Sequence, residues 1–313
     1  MKLYGKSGLK QRLDGIAEQG RLSHAVLFSG SSGVGKKELA KYVAELFLCE
    51  HGACGVCPVC RNIENNAHPD VIFVKETCGG KYAMDEFRRV LNDTVIRPNN
   101  GDCKVYVFED CDTMRAEHQN MLLKLIEEPA EFLRFVFTCE NTSLIPETVL
   151  SRVTEFEVPD TPVSDCEQAL IDSGVEPSKA RELSEMFAGN IGKCKAVLDG
   201  GGDAELIETA RKAAEALGAR DGYGITVALA KKSDREEFER VMEYLSRIVR
   251  DALAVKCGGE ADFFGKKESK KIAASFSENE LLNILDTALE IAKNETFNLN
   301  LSLTAAYFVS RIL

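Results

Sequence analysis

Two apolar patterns alternate through the first half of the chain. Short unbroken runs, Ala25-Val26-Leu27-Phe28, Val71-Ile72-Phe73-Val74, Val105-Tyr106-Val107-Phe108 and Phe135-Val136-Phe137, predict strands buried on both faces. Between them apolar residues return every three or four positions, as helices require: Leu9, Leu13 and Ile16; Leu39, Val43, Leu46 and Phe47; Phe87, Val90 and Leu91. A further helix over 119–128 stops at Pro129, which cannot continue the hydrogen-bond ladder. A last strand is predicted over Glu155–Val158. Buried strands alternating with helices imply a parallel sheet wrapped by helices.

Past Pro159 the strand pattern ends. Residues 164–172, 178–188 and 190–199 read as short helices, and Gly200-Gly201-Gly202-Asp203 as a linker. Beyond it the helical period is sustained by Phe238, Val241, Met242, Leu245, Ile248, Val249 and Leu253, and again by Leu281, Leu282, Leu285, Ala288, Leu289 and Ala292. The predicted architecture is α/β plus all-α in three parts: 1–159, 160–203 and 204–313. The stretch Lys266–Lys271, basic with one acid, reads as a solvated loop.

At 313 residues, 44% hydrophobic and 28% charged, the chain has room for two or three domains with cores of their own. It contains no run of eighteen apolar residues, and Met1–Lys6 lacks the apolar core of a signal peptide, so a cytoplasmic location is expected. A net charge of −11 opposes a surface that coats DNA, while leaving room for a local basic channel and for basic partners. Eleven cysteines without a secretion signal favour metal binding over disulfides.

The densest chemistry follows the first strand. Gly30-x4-Gly35-Lys36, with Gly33 between, leads from strand to helix as a phosphate-cradling P-loop, its glycines freeing backbone N–H groups and Lys36 reaching terminal phosphates. The bland alternative is a glycine-rich turn without a ligand. The next position should carry the hydroxyl that holds Mg²⁺, but it is Lys37, which offers no lone pair and repels a cation. Glu109 and Asp110 end the third strand as a Walker B pair would, in reversed order, so the pair is degenerate. Cys49, Cys54, Cys57 and Cys60 place four thiols within twelve residues, which suits a closed, structural Zn²⁺ site better than the alternative, a redox dithiol. The other cysteines, Cys78, Cys103, Cys111, Cys139, Cys166, Cys194 and Cys257, read as buried small residues, and His24 as a structural hydrogen-bonding residue.

The set His24-Ala25, Gly30-x4-Gly35-Lys36, the cysteine module, Leu122-Leu123-Lys124-x-Ile126-Glu127-Glu128-Pro129 and Leu150-Ser151-Arg152 resembles the clamp-loader ATPases of the AAA+ class, in their order along the whole chain. The resemblance implies a P-loop domain, a three-helix lid and a helical collar whose last helix opens at Asn298-Leu299-Asn300. It sorts the chain away from the motor members, gamma/tau, which carry Ser or Thr at 37 and Asp-Glu at 109–110. They also carry a sensor threonine near Cys139-Glu140 and a sensor arginine near Gly192, both expected to be missing here. What it implies instead is a stator-like member of the bacterial DNA polymerase III assembly, not itself catalytic. Arg152 would then be a finger offered in trans to a neighbour's ATP. Implied partners are sister subunits (gamma/tau, delta) in a five-subunit ring, the sliding clamp and primed DNA through the assembly. Two competing readings are an active motor-type ATPase using Glu109 and Asp110, and a zinc-dependent DNA-binding protein, which the acidic charge disfavours.

Overall fold

In the computed structural model, β1 (Ala25–Ser29), β2 (Val71–Val74), β3 (Lys104–Phe108), β4 (Leu133–Cys139) and β5 (Thr154–Glu157) form one parallel sheet in the order β2-β3-β4-β1-β5. Residues 2–74, 82, 84–201, 203–230, 234–259, 261, 265–293 and 301–313 are described. Alternate residues of the inner strands face opposite layers, as the period of two demands. Leu27, Tyr106, Phe108, Phe135 and Phe137 enter one core with Phe87 of α4 (Met84–Asp93) and Leu122 and Ile126 of α5 (Ala116–Glu127). Val26, Phe28, Val105, Val107 and Val136 enter the other with Leu13 of α1 (Ser7–Glu18) and Leu39 and Val43 of α2 (Lys36–Leu48). Burial on both faces is why these strands are unbroken apolar runs. β5 lies at an edge and buries only Phe156, so its sequence alternates.

The chain packs as two units: Met1–Cys166 with Asn190–Gly192, and Glu167–Gly189 with Lys193–Leu313. The second is helical. Its helices include α8 (Pro177–Met186), α10 (Ala204–Gly218), α11 (Gly222–Leu229), α12 (Arg235–Lys256), α13 (Lys266–Ser275), α14 (Glu278–Lys293) and α15 (Leu301–Ile312). Most of the stripe read from the sequence lies in its core: Val241, Met242, Leu245, Ile248 and Val249 of α12 are fully buried, as are Leu281 and Ala288 of α14, whereas Leu282, read as part of the stripe, is exposed because it falls off the buried face of α14.

Several expectations shift. Lys266–Lys271 is no loop but the start of α13, with Glu268 and Ser269 buried. Charged residues can begin a helix when one of its faces has a partner, and Ser269 donates to the Ile248 carbonyl at 3.1 Å. The end of the glycine run is pinned: Asp203 accepts from Arg240 at 2.7 Å and from the Tyr244 hydroxyl at 2.5 Å. Cys103, Cys111, Cys139, Cys166 and Cys194 are buried as expected, but Cys257 is exposed. Cys78, Gly202 and Asn298-Leu299-Asn300 lie outside the described residues.

Candidate functional site

The P-loop leaves the C-terminal end of β1 and feeds the N-terminus of α2. Gly33 and Gly35 have φ of +79° and +97°, a region that side chains with a Cβ rarely adopt, which is why glycines stand there. Lys36 is buried, and its ammonium donates to the carbonyls of Gly30 (2.7 Å) and Ser31 (3.1 Å). Lys37 forms an ion pair with Glu109 at 3.0 Å and lies over the Phe73 ring. The carboxylate that a Walker B strand would turn toward Mg²⁺ is thus engaged by an internal cation. Asp110, at φ +52°, donates its N–H to Thr138 Oγ1 at 2.9 Å. Burial pushes the Asp110 carboxyl up, against the pull of Lys36. Gly30, Gly33, Gly35, Lys36, Lys37, Glu109 and Asp110 therefore do converge at one end of the sheet. Thr138 is the residue the sequence missed. No threonine was expected near Cys139-Glu140, yet one stands a position earlier, on β4, and ties the ends of β3 and β4.

Asn190 also belongs to this site without having been expected there, and Gly192, expected near it only as the place of an absent arginine, makes a direct contact. Gly192 is in the first turn of α9 (Ile191–Leu198) and donates its N–H to the Gly33 carbonyl at 3.0 Å. The Asn190 amide donates to the Ser32 carbonyl at 2.6 Å. A Cβ on Gly192 would lie 2.5 Å from Gly33 Cα, so the two backbones touch with no room for a side chain. The sequence signal was Gly192 itself, a glycine at the place where the resemblance led one to expect an arginine, but its contact was not legible.

The four thiols of Cys49, Cys54, Cys57 and Cys60 lie within 4.8 Å of one another. Cys49 Sγ is 3.7 Å from both Cys54 Sγ and Cys57 Sγ. A tetrahedral ZnS₄ centre with bonds of about 2.3 Å has S···S edges of about 3.8 Å, so the donors fit that ion. Cys57 caps α3 (Pro58–Glu64), accepting the Cys60 N–H at 3.4 Å. Backbone N–H groups of Val56 and Cys57 lower the Cys54 thiol to about 6, whereas burial pushes Cys60 up. The cluster can hold a metal ion, and because all four donors come from the chain, the ion would act structurally.

Arg152 is at the other end of the sheet. β1 and β5 run parallel, with Val26 opposite Thr154 and Ser29 opposite Glu157. The P-loop follows Ser29 while Arg152 precedes Thr154, so about 13 Å of strand separates them, four residues at 3.3 Å each. Arg152 pairs with Glu127 at 2.8 Å and donates to the Thr148 carbonyl at 2.8 Å. His24 has the structural role expected of it: its Nε2 is 3.1 Å from the Ile126 carbonyl, joining the start of β1 to the end of α5.

Residues 5–162 match the model of the family described as "DNA polymerase III, delta subunit". The delta' subunit of DNA polymerase III from Bacillus subtilis is 27% identical over 90% of this chain and 88% of its own length. The tau subunit of Escherichia coli is 35% identical, but over 44% of this chain and 22% of its own length, so the chain spans under a quarter of that relative. Among solved structures, a DNA polymerase III gamma subunit-related protein from Thermotoga maritima aligns over 97% of this chain and 99% of that one, with 17% identity and a TM-score of 0.43.

Proposed function

The chain belongs to the DNA polymerase III delta-subunit family, and from that premise we propose that it is the delta prime, stator-like subunit of a bacterial clamp loader. It joins gamma/tau and delta subunits in a five-membered ring in the cytoplasm, and the ring places a sliding clamp on primed DNA. Residues 160–203 act as the lid and 204–313 as the collar that holds the ring. The cysteine cluster carries one structural Zn²⁺, which supplies the folding energy that so short a module lacks. The chain hydrolyses no ATP of its own: Lys37 neutralises Glu109, and Asn190 and Gly192 lie against the P-loop carbonyls.

The observation that carries this reading is the position of Arg152 at the sheet end opposite the chain's own P-loop. From there its guanidinium serves a nucleotide held by a neighbour, stabilising negative charge that develops on the transferring phosphoryl group. The test is Arg152→Ala in the reconstituted complex. The complex should assemble and bind DNA normally, while hydrolysis at the affected site falls by up to about 10³-fold, the bulk rate falling less because the other sites keep their own fingers. Undiminished DNA-stimulated hydrolysis would refute the role. The alternative, a gamma/tau-type ATPase, draws support from Thr138 at the end of β4. Magnesium-dependent ATP turnover by the purified chain alone would establish it instead.

A further inference from the structure

Two features of the sequence find no use at the nucleotide end of the sheet: His24 and the Ile126-Glu127-Glu128-Pro129 ending of α5. We propose that they exist to aim Arg152, with Glu127 as its positioning residue. The proposal rests on the trans reading above.

Electrostatics first sets α5 apart. A helix C-terminus gathers unpaired carbonyls and carries partial negative charge, so it favours lysine or arginine and disfavours acids. α5 ends at Glu127, is capped by Glu128 and is stopped by Pro129. Two carboxylates in that place cost helix stability; Lys124, in the same last turn, offsets part of that cost and leaves room for a second cation from elsewhere. Arg152 supplies it, with Nη2 at 2.8 Å from Glu127 Oε1.

The guanidinium is held from a second side. Its Nη1 donates to the Thr148 carbonyl at 2.8 Å and to Ser151 Oγ at 3.1 Å, both on the short turn of α6 (Glu147–Leu150) and its cap. Two of its three nitrogens are therefore bound by the chain itself, on different elements, and the guanidinium plane is fixed. The Glu127 platform is fixed as well: Ile126 is buried, and its carbonyl lies 3.1 Å from His24 at the foot of β1.

The pair does little for stability. Its side chains are 37% and 46% exposed, and ion pairs so open to water contribute little to folding. Their effect is on direction. A free arginine samples many rotamers, and a finger must meet the phosphoryl group in one orientation; holding it there beforehand removes that ordering from the activation step.

The experiment is kinetic and uses the reconstituted complex, with the chain carrying Glu127→Ala, Glu127→Gln, Arg152→Ala or Glu127→Ala with Arg152→Ala. Glu127→Ala should lower kcat at the affected site on the order of tenfold, as expected for a misaligned catalytic group. KM for ATP, assembly and the thermal stability of the chain should stay near those of the parent. Glu127→Gln keeps an oxygen acceptor in place and should recover part of the loss. In the Arg152→Ala background, Glu127→Ala should have no further effect. Full activity of Glu127→Ala beside an impaired Arg152→Ala, or losses that simply multiply in the double variant, would overturn the proposal. Full activity of Arg152→Ala would overturn the trans reading itself, and this proposal with it.

Discussion

Gly192→Ala sets two magnitudes of opposite sign against each other. Gly192 lies in the first turn of α9, and helix propensity alone favours the substitution, by at most about 1 kcal/mol in a helix interior and less at an end. The tertiary structure opposes it. The new methyl would lie 2.5 Å from Gly33 Cα and 2.9 Å from the Gly33 carbonyl oxygen, both backbone atoms that cannot swing aside. Forcing it in place costs about 1–3 kcal/mol, as overpacking does elsewhere. If residues 190–192 lift away instead, the hydrogen bonds from Gly192 to Gly33 and from Asn190 to Ser32 are lost, at about 0.5–1.5 kcal/mol each. Either way the propensity gain is outweighed, and a net loss of about 1–2 kcal/mol is expected. For a unit of this size that lowers Tm by about 2–8 °C. Hydrogen exchange read on peptides covering 30–36 and 189–193 should quicken in the variant, while peptides of β3 and β4 stay protected. A variant as stable as the parent, with unchanged exchange at 189–193, would mean that the Gly33–Gly192 contact does not hold in solution.

The remaining expectations are independent of that seal. Elemental analysis of the purified chain should find one zinc, and a chelator should release it and expose four titratable thiols beyond the exposed Cys257 while the sheet keeps its far-UV signature; the cluster's four thiols freely titratable with no metal present would remove the zinc assignment. His118, on α5, is buried edge-on against Phe87 at 5.1 Å, and burial, helped by Arg115 and opposed by Glu117, lowers its affinity for a proton. The unfolded chain takes up that proton near pH 6.5 and the folded chain does not, so stability should fall as pH drops below about 6.5, by no more than about 1.4 kcal/mol per pH unit from this group. His118→Phe should flatten the dependence of the urea midpoint on pH between 7 and 5, and an unaltered slope would show that other groups carry it.

Much of the molecule is legible along one dimension. Unbroken runs such as Val105–Phe108 announced strands covered on both faces, and a parallel sheet followed from their alternation with helices. The three- and four-residue recurrence from Phe238 to Leu253 marked the core side of α12. The cysteine spacing brought four thiols together because all of them lie within one turn-rich stretch and the cap and first turn of α3 that follow it. These are local matters, in which period, turn chemistry and short loops decide the outcome.

What needed the tertiary structure is whatever joins residues far apart in sequence. Lys37 has one meaning as a departure from a motif and another as the ion-pair partner of Glu109, which comes seventy-two positions later. Lys266–Lys271 looked like a loop because charge dominates its composition, and it is a helix because one face finds α12. Gly192 was visible as a missing arginine, but its backbone contact with Gly33 depends on how a segment 159 residues away returns to the P-loop. The sequence by itself marked the buried strands, the long amphipathic helices and the cysteine cluster, though not α13. The tertiary structure alone decided which charges neutralise one another and that Arg152 stands at the sheet end opposite its own P-loop, because strand order and register are set by non-local packing that no local period encodes.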